Sequence, residues 1–277
     1  MSRPIITFLS DFGHADWFVG VVHGVLHALA PDAHVVDLGH SIPPGHVARG
    51  AFMLEAACPD FPPGTVHLAV VDPGVGTSRR AIAVVAHGQV FVGPDNGLLE
   101  WAFLDPQSRV HELANERLFR QPVSRTFHGR DVFAPVAARL ARGESITGCG
   151  PRVTDPVRLP QHEPERRSGS LIGHVVFLDR FGNALTNLTS TSIAAAFGEV
   201  TDDDALEVRV LDRRIEGLSR SYGDAPVGTL VAILGSSGRL EIAQVGGAAS
   251  ERLGIGEGDA VVVRRRGAPT GAAPPGA

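Results

Sequence analysis

The sequence predicts an α/β N-terminal domain with a central, mostly parallel sheet, followed by a smaller all-β, barrel-like C-terminal domain. Three features point there. Apolar runs alternate with amphipathic stretches through the first half. Residues 160–169 are polar and rich in turn formers. Beyond them, short β-rich runs recur at short intervals. Strands without polar alternation belong to a sheet covered on both faces. Short, closely spaced strands suit a barrel or sandwich.

The elements follow in order. Ile5–Leu9 is a β-rich run that ends at Ser10-Asp11-Phe12-Gly13. Asp16 is placed to cap a helix over Trp17–Ala30, with Phe18, Val21, Val25 and Leu29 on one face and Pro31 beyond its end. Val35–Leu38 is the next strand, His40–Pro44 a connection, and residues 46–57 a second helix. Val66–Val71 is an apolar strand closed by Asp72-Pro73-Gly74. Ala81–Ala86 and Val90–Val92 flank His87-Gly88 as a hairpin, and a helix over about 131–142 follows Phe127-His128-Gly129-Arg130. These elements define a first domain over 1–160 and a linker over 161–169. Strands at 170–178, 206–210, 229–234, 239–243 and 260–264 then build a second domain over 170–266. Residues 267–277 have no core-forming residues and are expected to be a disordered tail.

Composition removes several functions. The 277 residues, 43% hydrophobic and 20% charged, are ordinary for a globular chain long enough to bury a core. A net charge of −5 argues against a broad nucleic-acid-binding surface. Arg264-Arg265-Arg266 reads as a solvated strand end. No apolar run reaches the ~20 residues of a membrane span, and the N-terminal run is too short for a signal peptide. A cytoplasmic location is the expectation. Two cysteines support neither a disulfide framework nor a four-cysteine zinc site. All 25 basic residues are arginine, so lysine chemistry is excluded. His23 and His27 stand i, i+4 like a helical metal pair, but no Glu or Cys in that helix completes a set. The expected metal ligands are none.

Carboxylates sit just past three apolar strands, at Asp11, Asp72 and Asp95, and the ligand crevice of an open α/β sheet lies outside such strand ends. The segment Asp72-Pro73-Gly74-Val75-Gly76-Thr77-Ser78-Arg79-Arg80 can bend back on its glycines and bring Asp and Arg face to face. Phe127-His128-Gly129-Arg130-Asp131 adds a histidine at a helix start. Asp, Arg and His together can bind and polarise a water. A surface ion-pair network is the alternative use of the same charges.

Six motifs occur in order: Ser10–Gly13, His40–Pro44, Val71–Thr77, Gly93–Leu99, Phe127–Asp131 and Asp179–Asn183. Together, over about residues 5–265, they resemble the S-adenosyl-L-methionine (SAM) hydroxide adenosyltransferase family, which is related to the fluorinases and chlorinases. The resemblance implies an N-terminal α/β domain, a C-terminal β-barrel and a homotrimer with SAM bound between neighbouring subunits. It implies SN2 attack of water or hydroxide on the ribose C5′, releasing methionine and leaving adenosine. No cofactor is expected. The family's Asp–Arg–His triad falls on Asp72, Arg79 and His128, with Arg80 one residue away. Members of that triad are replaced in the halogenating relatives. Asp11 matches a ligand of the ribose hydroxyls and Asp16 a methionine-side contact. Asp179 and Asn183 match the pair at the methionine ammonium and the adenine edge. Ser236 matches a serine at the methionine carboxylate. The chain departs from the family at Gly235, where Asn is common, and at Ser237, where an aromatic or Arg stands. The adenine-stacking residue is left open. The other two readings are a SAM-dependent halogenase-type transferase and a non-catalytic SAM- or adenosine-binding module.

Overall fold

The structure, a computed structural model, describes residues 3–160, 163–198 and 205–267, and the chain divides into two units, 1–160 and 161–277. The first unit runs β1 (Ile5–Ser10), α1 (Phe18–Leu29), β2 (His34–Gly39), α2 (Val47–Ala57), β3 (Val66–Val70), β4 (Ala81–Ala86), β5 (Gln89–Pro94), α3 (Glu100–Phe103), β6 (Arg109–Glu112), α4 (Ala134–Ala141) and β7 (Arg152–Val153). The sheet order is β2-β1-β3-β5-β4-β6-β7.

The pairs β2–β1, β1–β3 and β3–β5 are parallel. The pairs β5–β4, β4–β6 and β6–β7 are antiparallel. The sheet is therefore mixed, not mostly parallel as expected. The cause is local: His87 and Gly88, at φ 51° and 73°, form the tight turn that folds β4 back on β5, and strands joined by so short a turn must run antiparallel. Side chains alternate between two cores, as a strand's period of two requires. Ile6, Phe8, Val66, Leu68 and Val70 pack with α1 and α4. Leu9, Ala69 and Val71 pack with residues of α2 and α3 on the other face. In α1 the buried positions are Val19, Val22 and Leu26, one residue round from the expected stripe. Phe18, Val25 and Leu29 are half-buried beside them, because this helix is apolar over more than one face. Burying Leu26 completely is worth ~1.5–3 kcal/mol.

The second unit runs β8 (Glu165–Arg167), β9 (Ser170–Leu178), β10 (Ala184–Thr189), α5 (Ser190–Phe197), β11 (Leu206–Val210), β12 (Arg213–Glu216), β13 (Leu230–Leu234), β14 (Arg239–Gln244), α6 (Ala249–Leu253) and β15 (Ala260–Arg265). Seven strands pair in the order β12-β11-β15-β9-β10-β14-β13, with β8 added beside β9. All pairs are antiparallel. Ser219, just past β12, bridges to Ile233 of β13, so the two ends of the order meet and the sheet is nearly a closed barrel. The unit is not all-β. Thr189 and Ser192 form a reciprocal cap that starts α5, and Ile193 and Phe197 anchor it to the barrel core. Glu165–Arg167, expected within the linker, form β8 against β9. Arg264 is buried, not solvated, because Glu207, itself buried, accepts from it at 2.7 Å. The expected tail lies outside the described residues beyond Gly267. No described helix is long and apolar enough to cross a membrane.

Candidate active site

Strands β1, β3 and β5 are adjacent and parallel, so the turns after them open on one edge of the sheet. Asp11, Asp72 and Asp95 stand in those turns. After Asp72 the chain doubles back: Val75 N donates to Asp72 O at 3.2 Å, and both the amide and hydroxyl of Thr77 donate to Gly74 O, at 3.1 and 2.7 Å. Gly76 sits at φ 78°, and a Cβ there would stand 2.5 Å from Arg125 O. Only glycine fits both demands.

This turn aims Arg79 at Asp72. Arg79 Nε donates to Asp72 Oδ1 at 2.8 Å, and Nη2 donates to Oδ2, a two-pronged contact. The same Nη2 lies 3.0 Å from His128 Nδ1. A guanidinium has no acceptor, so Nδ1 accepts and the proton of the neutral ring sits on Nε2. The Asp72 and Arg79 side chains are 5% and 11% exposed, so the charge acts through little water. Burial, with the Arg79 charge second, holds the His128 imidazole below its ordinary value of 6.5. The ring is therefore neutral at neutral pH. The guanidinium also lies over the Phe133 ring, 5.1 Å from its centre.

Arg80 faces elsewhere. Its Nε donates to Asp95 Oδ2 at 2.7 Å, and its Nη1 and Nη2 donate to Asp155 Oδ1 and O, each at 2.8 Å. Asp95 Oδ1 also accepts from Val157 N at 2.8 Å. Asp95 is thus tied to a chain-crossing clamp and not grouped with Asp72.

His128 reaches the edge through aromatic packing that the sequence reading missed. Phe12 and Phe18 lie 5.8 and 5.2 Å from Phe127, ring centre to ring centre. Gly129 lets this segment close on β1, since a Cβ there would stand 3.1 Å from Phe12 Cζ. Gly129–Phe133 is a π-helical turn leading into α4, where an ordinary helix from about 131 was expected. Such turns recur at functional sites. Buried Asp131 holds it by accepting from Arg130 Nε at 2.7 Å and Ser124 N at 2.8 Å. The legible signal was a phenylalanine in each of Asp11-Phe12-Gly13, Trp17-Phe18 and Phe127-His128.

Asp11 Oδ2 accepts from Gly45 N at 2.8 Å, and a Cβ on Gly45 would touch Pro73 at 3.5 Å. Asp11 is therefore next to the Asp72-Pro73 turn. Asp16 is exposed between β1 and α1 and does not cap the helix. Trp17 holds the N-cap position without a side-chain bond, one residue past Asp16.

In the second unit, Asp179 and Asn183 lie together in the β9–β10 turn. Asp179 Oδ1 accepts from the Phe181 and Asn183 amides at 2.8 Å, and Oδ2 accepts from Asn183 Nδ2 at 2.9 Å. Ser236 is exposed in the β13–β14 turn. Glu241 links the two turns. It pairs with Leu185 of β10, and its carboxylate fills the space a side chain at Gly235 would need, Oε1 lying 1.8 Å from that Cβ position. Tyr222 donates to Glu241 Oε2 at 2.9 Å. Burial, opposed by that bond and aided by the Asp179 charge, raises the Glu241 carboxyl above its usual range. Neither residue was singled out from sequence, although a lone glutamate inside the apolar run Leu240–Ala243 was a visible signal.

Comparison with known proteins supplies the family. Residues 6–150 match the SAM hydroxide adenosyltransferase N-terminal domain and residues 173–262 its C-terminal domain. The chain is 44% identical to an (R)-S-adenosyl-L-methionine hydrolase of Thermus thermophilus over 92% of this chain and 97% of that one. It is 43% identical to the protein of that name in Salinispora arenicola, over 93% and 97%. A fluorinase of Nocardia brasiliensis is 30% identical over 87% and 90%. The crystal structure of an uncharacterized conserved protein from Thermotoga maritima superposes with a TM-score of 0.88 at 38% identity, covering 94% of this chain and all of that one. Two matched domains across nearly the whole sequence leave one assignment: this chain belongs to the SAM hydroxide adenosyltransferase family.

Proposed function

We propose that the protein hydrolyses S-adenosyl-L-methionine to adenosine and L-methionine by attack of a water on the ribose C5′. Relatives at 42–44% identity carry the name of this activity. The observation that carries the mechanism is the contact set of Asp72, Arg79 and His128 at the strand-end edge. In the reaction the C5′–S bond breaks as the O–C5′ bond forms. The sulfonium leaves as a neutral thioether, so the leaving group needs no acid and the chemistry no cofactor. The burden falls on the water, which must lose a proton. Arg79 stabilises the developing hydroxide with a fixed charge. His128 is neutral with its proton on Nε2, so that N–H donates to the water oxygen and orients it. Asp72 anchors the guanidinium and takes the proton.

In this reading Asp11 accepts from the ribose hydroxyls, two acceptor oxygens facing a vicinal diol. Asp16 contacts the methionine side. Asp179, Asn183 and Ser236 hold the methionine and the adenine edge of a neighbouring copy's substrate in a homotrimer. Purified protein incubated with SAM in ¹⁸O-water, with and without halide, tests the proposal. Adenosine labelled at the 5′-oxygen is expected under both conditions. A 5′-halogenated nucleoside would favour the fluorinase-like reading. Binding without turnover would favour a SAM-binding module.

A further inference from the structure

We propose that His23, Asp37 and His40 form a binding site for a divalent transition-metal ion of the zinc type. The three come from α1, from β2 and from the residue just after β2. Asp37 Oδ1 lies 2.8 Å from His23 Nε2 and 3.0 Å from His40 Nε2. One donor atom from each residue falls within 4.8 Å of the others, and among the described residues this group of His, Cys, Asp and Glu is the one that could share an ion.

A second observation separates this cluster from a plain ion pair. His40 is 1% exposed. Its Nδ1 is bonded to Ser10 Oγ at 2.7 Å. Its Nε2 stands 3.0 Å from Asp37 Oδ1 but makes no well-aligned hydrogen bond there. The contact is close but off the ring's N–H axis. That geometry suits donors arranged round a common ion. Two ligands at the ~2.0–2.1 Å bonds of a tetrahedral zinc stand about 3.3 Å apart and off each other's donor axes.

The donor set selects the cation. Two imidazole nitrogens and one carboxylate oxygen, with a fourth position for water, match zinc and its neighbours. Calcium and magnesium prefer all-oxygen shells. Ser10 supplies the outer partner that fixes the orientation of a metal-bound histidine. His14, whose ring centre is 5.2 Å from that of His40, lies outside the set. His27, the i, i+4 partner that the sequence offered for His23, is exposed and takes no part. The site also has a structural reach. His40 O accepts from Gly13 N at 2.7 Å, so an ion here would clamp α1 and β2 to the turn that carries Asp11.

The test uses the full chain, stripped of metal with a chelator and titrated with Zn²⁺ by calorimetry and with Co²⁺ by visible absorption. One equivalent per chain, a tetrahedral Co²⁺ band and a Tm raised by several degrees are expected. His23→Ala and the near-isosteric Asp37→Asn should each weaken binding at least tenfold and remove the Co²⁺ band. His27→Ala should leave all three readouts unchanged. Both altered ligands are partly solvent-accessible, and melts without metal report whether each variant folds; Asp37→Asn carries the test if His23→Ala does not. The proposal is overturned if His27→Ala weakens binding as much as His23→Ala, which would assign the ion to the helical pair. It is equally overturned if all variants bind alike or wild type binds less than one equivalent, which would mean an adventitious ion only.

Discussion

Arg79 and Arg80 are chain neighbours with opposite surroundings. Arg79 is bound at both prongs to Asp72, touches His128 and is 11% exposed. Arg80 is 30% exposed and ties Asp95 to Asp155, which is itself 80% exposed. Just before β4, one arginine enters the strand-end edge and the next turns toward the chain that crosses at Asp155. The two differ in their surroundings, not in residue type. A charge held beside a neutral imidazole with little water can act on a reacting atom. A charge shared with a solvated carboxylate serves mainly to satisfy its buried partner, Asp95.

The largest expected effect breaks this comparison if it fails. Arg79→Ala should lower kcat by on the order of 10²–10³, as loss of one preorganised electrostatic donor does, with little change in SAM affinity. Steady-state kinetics beside calorimetry reads both. A near-normal kcat here with a large loss in Arg80→Ala would exchange the two roles. Next comes Asp11→Ala, which should raise KM roughly 10–100-fold with kcat nearly kept, as removal of a charged hydrogen-bond acceptor predicts. An equal fall in kcat would move Asp11 into the chemistry.

Arg80→Ala should leave kcat within about threefold but cost ~1–3 kcal/mol of stability, because Asp95, only 1% exposed, loses its cation. Denaturant melts measure this. An unchanged midpoint would mean the clamp is idle. The smallest effect is on pH dependence. His128 is held below 6.5, first by burial and then by Arg79. The neutral ring is the active form, so kcat/KM should fall as the ring gains its proton, with a midpoint below pH 6.5. In Arg79→Ala the residual activity should fall at a higher pH, since one of the two causes is gone. A wild-type inflection above 6.5 would contradict the surroundings assigned to His128.

Much of this is legible in the sequence. The apolar runs at 5–9 and 66–71 marked strands because continuous burial leaves no polar alternation, the run at 170–178 marked one that buries alternate residues, and the glycine-bearing loop after Asp72 announced its own reversal. Asp72 and Arg79 are seven residues apart, so local chain geometry suffices to pair them. Other features needed distant partners. The short strands β6, β7 and β8 carry too few residues for a pattern, and the reversal of β4 against β5 follows from one two-residue turn. α5 lies in a run of small residues whose helical cue is the Thr189/Ser192 cap.

The ordered motifs by themselves identified the family and offered candidate carboxylates and basic residues for its site, because those depend on residue type and local spacing. The fold decided which of these groups meet. Three phenylalanines from separate segments carry His128 to Arg79. Glu241 takes the space left open at Gly235. His23 turns from its helical neighbour His27 toward Asp37 and His40. Apart from Glu241 and Gly235, which meet across one hairpin, these contacts join residues 14 to 115 positions apart, and a side chain's partner at such range is set by packing, which no local pattern records.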